Sequence, residues 1–281
     1  MVIPKALCRC DICREARAKG PPFERTGPSA FIHDENLLID TPAEINGQIN
    51  RAGIEVIDYL MFTHLDPDHL EGFRIVEQAA IDFRTWRAYP EKQIQLVLPR
   101  ALMKRLKDIR TVYGSQLAYY EKQGFVSLRS FEKQTRIGEL NITALPVERE
   151  DQMAYIYVFE KDDRKLVYAP CDIKPFPVME DVVREADLLV IQPGMFETGL
   201  KHEFVYPDEH ISRKTLYTFK ETMALARRIG SRKILFVHLE EYWNRSYTDY
   251  LDIERIHRDI TFACDNMRVD IRSEGRQRDS R

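Results

Sequence analysis

Residues Tyr59-Leu60-Met61-Phe62-Thr63-His64-Leu65-Asp66-Pro67-Asp68-His69 decide how this chain is read. A four-residue apolar run ends in two imidazoles and two carboxylates within six positions, so a buried strand delivers a dense set of N and O donors at its carboxyl end. Open α/β sheets build their sites at such strand ends, and this donor mixture suits a metal ion. A solvated turn also tolerates Asp, Pro and Asp. Two of the chain's seven histidines falling in this one stretch speak for the metal.

Three other segments repeat the design of an apolar run closed by a donor. They are Leu37-Leu38-Ile39-Asp40, Leu166-Val167-Tyr168-Ala169-Pro170-Cys171-Asp172 and Lys233-Ile234-Leu235-Phe236-Val237-His238. Taken with the first, this ordered series resembles the H-x-H-x-D-H signature and downstream ligands of the metallo-β-lactamase superfamily. His64, Asp68 and His69 match, and Asp66 stands where the second His belongs. The resemblance implies an α/β chain folded as an αββα four-layer sandwich over residues 1–271, with Asp172 as a metal-bridging carboxylate. It also implies His238 as the last ligand and Asp40 as a supporting carboxylate behind the ligands.

Cys8, Cys10 and Cys13 form C-x-C-x-x-C near the amino terminus, whereas Cys171 and Cys264 stand alone. Three thiolates at this spacing suit a closed zinc site, and three ordinary thiols near a frayed end are the plain alternative. Followed by Arg14-Glu15-Ala16-Arg17, the motif is similar to that of the phosphoribosyl cyclic phosphodiesterases of the carbon-phosphorus lyase pathway. In that branch a fourth ligand, a His, lies three residues after the last active-site His. Here the position is Glu241, whose oxygen zinc accepts, so one structural zinc on Cys8, Cys10, Cys13 and Glu241 is expected. Members of the branch open with a strand and a Gly-rich turn before the cysteines. This sequence opens at Met1-Val2-Ile3-Pro4, which implies a late start or a dispensable first strand.

With 281 residues and nothing resembling a linker, one domain is expected, followed by an Arg- and Ser-rich tail over 272–281 that reads as disordered. Apolar residues at 44% supply a sizeable core. A net charge of −3 gives no footprint for nucleic acid, and no apolar run approaches the roughly 20 residues that cross a bilayer. Without a signal peptide, a reduced, cytoplasmic protein with no membrane partner follows.

Thr41, Pro42 and Glu44 predict a capped helix ending at Gly53. Further helices are expected from Leu70, over about 100–109, in a stretch holding Tyr113, Tyr119 and Tyr120, over 177–186, and over 216–228 before Gly230. The tyrosine stripe fits core or a homodimer contact. Segments 141–147 and 155–159 read as paired strands, with Asp162-Asp163 turning before the next, and 188–191 as a buried strand.

The superfamily pattern expects a third His near Val147, but the sequence offers Glu148, Arg149, Glu150 and Asp151, and no His before His202. Glu148 or Glu150 is the candidate replacement, against the plain reading of a surface acidic run. The added carboxylates favour Mn, Fe or Mg relative to zinc. His210, in the polar loop Tyr206-Pro207-Asp208-Glu209-His210, looks like the His that the phosphodiesterase branch sets beside the leaving group; a water-exposed helix-start residue is the alternative. His202 is a weaker candidate, and His33 and His257 read as ordinary.

The expected function is metal-dependent hydrolysis of a small cyclic or nucleotide-derived phosphodiester by two divalent ions, Zn, Mn or Fe. One ion would sit on His64, Asp66 and Glu148 or Glu150, and the other on Asp68, His69 and His238. Asp68 would orient the nucleophile and His210 would protonate the leaving group. Two rivals remain: a diiron redox protein, suggested by Asp66, and a non-catalytic scaffold held by one zinc.

Overall fold

Alternation along the strands of the second half builds the core. In Met153–Lys161, Ile156 and Val158 turn to one face while Tyr157 and Phe159 turn to the other. Arg164–Ala169 divides Val167 and Ala169 from Tyr168, and Leu188–Ile191 divides Leu189 and Ile191 from Leu188 and Val190. Side chains alternate across a strand, so a sheet apolar on both faces must be covered on both. One face packs on a second sheet. The other packs under helices Phe219–Ile229 and Tyr247–Ile256.

The chain is described here from a computed structural model, over residues 2–149 and 153–271. The Glu148 side chain, Glu150 and Asp151 fall outside the described residues, as does the expected tail over 272–281. The first sheet has the order Ala30–Ile32, Leu37–Ile39, Tyr59–Met61, Ile94–Pro99, Val126–Phe131, parallel except for its first strand. The second has seven strands, from Gln134–Ile137 through Leu140–Glu148, Met153–Lys161, Arg164–Ala169, Leu188–Ile191 and Lys233–Phe236 to Ile260–Phe262. Its first four are antiparallel and the later pairings parallel. Two mixed sheets flanked by helices are the α/β sandwich that the resemblance implies.

The sheets are pinned together beside the motif. Tyr157 donates its hydroxyl to Phe62 O at 2.7 Å, and Tyr155 N donates to Thr63 O at 2.8 Å. Phe62, fully buried, meets Phe73 edge to face at 5.3 Å, and burying each such side chain contributes about 1.5–3 kcal/mol.

Several helices differ from expectation. The capping box at Thr41 and Glu44 does not form: the helix is Ile45–Ala52, and Thr41 instead receives Gly72 N and gives its own N–H to His69 O. Those bonds require Gly72, because a Cβ there would sit 2.1 Å from Pro42 O. Gly53 does end that helix in the left-handed region, and Gly230 ends Phe219–Ile229 likewise. In place of a helix over 177–186 there is a single 3-10 turn, Asp181–Val183, because Glu185 N is drawn to Ile229 O. Tyr120 is buried, while Tyr113 stacks on Tyr119 at 4.8 Å outside the helix Gln116–Lys122. No described helix is long and apolar enough to cross a membrane.

Candidate metal centre

The motif folds as strand, extended turn and short helix. Pro67 at the first helical position fixes the start of Pro67–Leu70, and Asp66 O receives His69 N and Leu70 N. Neighbours on a helix point about 100° apart, so His69 turns inward, fully buried, while the Asp68 side chain stays 46% exposed. His64 is buried just before the turn.

Each imidazole has its Nδ1 committed to a partner, which turns its Nε2 toward one shared point. Asp40, fully buried, takes His69 Nδ1 at 2.9 Å, Thr63 N at 2.7 Å and Thr63 Oγ1 at 2.8 Å. The same Thr63 Oγ1 lies 2.9 Å from His64 Nδ1, and Glu240 Oε1 lies 2.9 Å from His238 Nδ1. Partners of this kind fix the ring orientation of metal-binding histidines. Asp40, Asp172 and His238 all hold left-handed backbone, at φ of 62°, 52° and 56°. Such conformations cluster at functional sites.

At the shared point stands Cys171, which sequence reasoning passed over. Its sulfur is 3.2 Å from His69 Nε2 and 3.6 Å from His64 Nε2, and His238 also bonds to it. Zn–S of about 2.3 Å and Zn–N of about 2.0 Å at a tetrahedral angle place such donors roughly 3.6 Å apart, so the separations fit one ion. His238 Nε2 is 3.1 Å from Asp68 Oδ2, and His69 Nε2 is 4.0 Å from that oxygen. His64, Asp66 and Asp172 make a neighbouring group, with His64 Nε2 at 3.8 Å from Asp66 Oδ2 and 3.7 Å from Asp172 Oδ2. Asp172 is also held by Arg149, whose Nη2 donates to Oδ1 at 2.7 Å. Among the described side chains of the run after Val147, Arg149 reaches the site.

The electrostatics favour a cation. Burial would keep the Cys171 thiol protonated, yet His69, His64 and His238 hold it well below the ordinary range. Burial opposes charge on His69, but Cys171 and Asp40 lift it to about 10, and His238 is raised through Cys171 and Asp68. Burial and Cys171 push the Asp172 carboxyl up against the pull of His64 and Arg149. The thiolate and the carboxylates raise the proton affinity of the three imidazoles, and the same negative charge favours a bound cation.

Cys8, Cys10, Cys13 and Glu241 converge separately. Their sulfurs lie 3.3, 3.1 and 3.6 Å from Glu241 Oε1, again spacings suited to one four-coordinate ion. Lys201 donates to Cys8 Sγ at 3.1 Å and to Glu241 Oε1. Burial lifts the Cys13 thiol to about 12, while Lys201, Cys10 and Cys8 outweigh burial at Glu241 and bring it to about 2.

A cleft of about 210 Å³ opens on the first centre, lined by His64, Asp66, Asp68, Cys171, His238 and Leu216 among others. Its lining reaches the 206–216 loop at Thr215 and Leu216 and does not include His210. That His caps the helix Ile211–Thr215, accepting Ser212 N at its Nδ1, and packs on Phe204 and Tyr206. His202 sits in the 3-10 turn Lys201–Glu203 ahead of that loop, and His257 follows the helix Tyr247–Ile256.

A family model described as a β-lactamase superfamily domain matches residues 35–239. Among solved structures, the chain is similar to a new diphosphatase from the PhnP family at 19% identity and TM-score 0.70, covering 96% of this chain and 93% of that one. It is similar to zinc-bound PqqB from Methylobacterium extorquens at 17% identity and TM-score 0.70, covering 96% of each chain. Human tRNase Z, short form, aligns at 13% identity and TM-score 0.58, covering 90% of this chain and 95% of that one. No curated protein gives a significant match to this sequence.

Proposed function

The chain belongs to the metallo-β-lactamase superfamily, and on that premise we propose that its cleft hydrolyses a phosphodiester, of a small cyclic or nucleotide-derived kind, with the help of divalent metal. The convergence of His64, His69, His238 and Cys171 at the strand ends, with Asp68 beside them, carries this reading. An ion held there supplies Lewis-acid polarisation of a phosphoryl oxygen and a lowered pKa for water. Asp40 and Glu240 keep His69 and His238 turned to the ion, so little reorganisation accompanies binding.

Asp68 is the residue poised for the nucleophile. Its carboxylate faces the cleft, and although burial resists ionisation, His238 and His69 hold it well below the usual range. It therefore accepts a hydrogen bond from water at neutral pH and orients the attack. Arg149, paired with Asp172, a residue of the cleft lining, brings a positive charge next to the cleft that favours an anionic substrate. The names of two structural neighbours, a diphosphatase and a tRNase, agree with phosphate chemistry, though what they share with this chain is fold. A second ion would complete a dinuclear centre on His64, Asp66 and Asp172, in which case the single lone pair of His64 Nε2 would serve that ion and leave Asp68, His69, His238 and Cys171 to the first. Cys171 adds a soft donor to the carboxylates, which moves the expected preference from Mn toward Zn or Fe.

His210 is proposed as the proton donor to the leaving group. Its Nδ1 accepts a hydrogen bond, so the neutral ring carries its proton on Nε2. His210→Ala is expected to slow a substrate with an alkoxide leaving group about 100-fold while changing p-nitrophenolate release less than about threefold, because only the basic alkoxide needs a proton. Equal loss on both substrates would remove His210 from that role.

The reading is tested by measuring turnover of bis(p-nitrophenyl) phosphate against metal content. Activity should vanish on chelation and return with Zn in proportion to cleft occupancy. A fully loaded protein inert toward phosphodiesters, or one purified with two irons and a visible absorption band, would overturn it.

A further inference from the structure

The two ligand sets share a strap. His238 turns into the cleft, Glu240 accepts from His238 Nδ1, and Glu241 enters the cysteine cluster, all within His238-Leu239-Glu240-Glu241. Three residues of chain span at most about 11 Å, so the ends of the strap cannot move independently far. Nor is the strap loose. Leu239, Glu240 and Glu241 are buried, Trp243 behind them is fully buried, and Trp243 N closes the 3-10 turn Glu241–Trp243 onto Glu240 O at 3.2 Å. Gln192 holds His238 O from the other side at 3.4 Å.

The cysteine cluster grips this strap at one atom. Glu241 Oε1 is the common partner of Cys8, Cys10, Cys13 and Lys201, while the Glu241 side chain is only 3% exposed. A carboxylate buried among thiols needs a cation to stay there. Lys201 meets Cys8 and Glu241, but among the described hydrogen bonds it does not reach the Cys10 or Cys13 sulfur, so it does not replace an ion that binds all four donors. Lys201 alone meets one of the three thiols, whereas an ion on all four donors would tie Cys8, Cys10 and Cys13 to the carboxylate and so hold the turn that carries Glu240.

We infer that Glu241 is a positioning residue for the cleft: an ion in the cysteine cluster fixes the strap and thereby the aim of His238, so the two metal sites fill cooperatively. The sequence sets Glu241 three residues after His238, and the structure shows the strap between them buried and hydrogen-bonded, with each end in its own donor set. This inference depends on the ligand assignments and not on the reaction, so it survives or fails apart from the phosphodiesterase reading.

Metal affinity is the measurement. In the full chain loaded with Co(II), the cluster's three thiolates and the cleft's single thiolate give distinguishable charge-transfer intensities, and chelator competition reads each affinity. Glu241→Gln should lose the cluster ion and weaken the cleft ion about tenfold or more, the scale seen when a partner that orients a metal-binding His is lost. Glu241→His, which restores a neutral-nitrogen ligand for zinc or cobalt, should recover both. Leu106→Ala, in the core of the other sheet, serves as a destabilised control and should leave the cleft affinity unchanged. A cleft affinity in Glu241→Gln equal to wild type despite an empty cluster would overturn the coupling. So would wild-type protein that binds nothing at the cysteines, or a control that weakens the cleft as much.

Discussion

Cys171→Ala is expected to empty the cleft and abolish hydrolysis while the chain stays folded. The sulfur lies within 3.6 Å of two imidazole Nε2 atoms and bonds to the third imidazole, so it stands where donors to one ion meet. Losing an orienting partner one step removed from an ion costs roughly 10–100-fold in affinity, and losing a direct donor should exceed that range. Truncation to Ala at a site 5% exposed removes one sulfur and leaves the strand Arg164–Ala169 paired on both sides, so folding should survive. Asp172→Asn makes the comparison. Its Oδ1 is already held by Arg149, so its loss should weaken the second group and reduce turnover without emptying the first. Metal analysis beside phosphodiester turnover decides the matter. If Cys171→Ala keeps its ion while Asp172→Asn loses it, the carboxylate is the ligand and the thiol a bystander.

That contrast marks the limit of what the sequence discloses. Strand ends are legible because an apolar run followed by a donor has one geometric meaning, and His64, Asp68, His69, His238 and Asp40 all lie at such ends and converge. Past a strand end the alternation of faces is lost. After Pro170 nothing local decides which of Cys171 and Asp172 turns inward, and the left-handed backbone at Asp172 that settles it is a tertiary outcome. The signal available was that Cys171 stands apart from the amino-terminal cysteines and beside an expected ligand. The capping box at Thr41 failed for a related reason. Propensity favoured a helix start, but Thr41 N and O are committed to His69 and Gly72, and long-range bonds outrank local preference. The pairing of Cys8, Cys10 and Cys13 with Glu241 spans more than two hundred positions and was reachable only through resemblance.

Asp40→Ala should be the most destabilising single change at the centre, because it strips acceptors from three buried donors at once. Thr63 N, Thr63 Oγ1 and His69 Nδ1 all end on this carboxylate, and no surface is near enough for water to take its place. Each buried donor left unpaired costs about 1–3 kcal/mol, and breaking a buried charged pair costs about 3–5 kcal/mol. Position 40 also holds φ of 62°, a conformation that Asp tolerates better than Ala. A loss of about 3–5 kcal/mol corresponds to a fall in Tm on the order of 10 °C. Asp40→Asn separates stability from function. It suits the same backbone and keeps one acceptor oxygen, so it should fold, but its amide nitrogen faces donors and leaves His69 free to rotate. The cleft ion should then bind about 10–100-fold more weakly with only a modest change in Tm. Thermal melts and chelator competition on the two variants check both halves. Wild-type melting in Asp40→Ala together with wild-type metal affinity in Asp40→Asn would mean that Asp40 neither stabilises the motif nor aims His69.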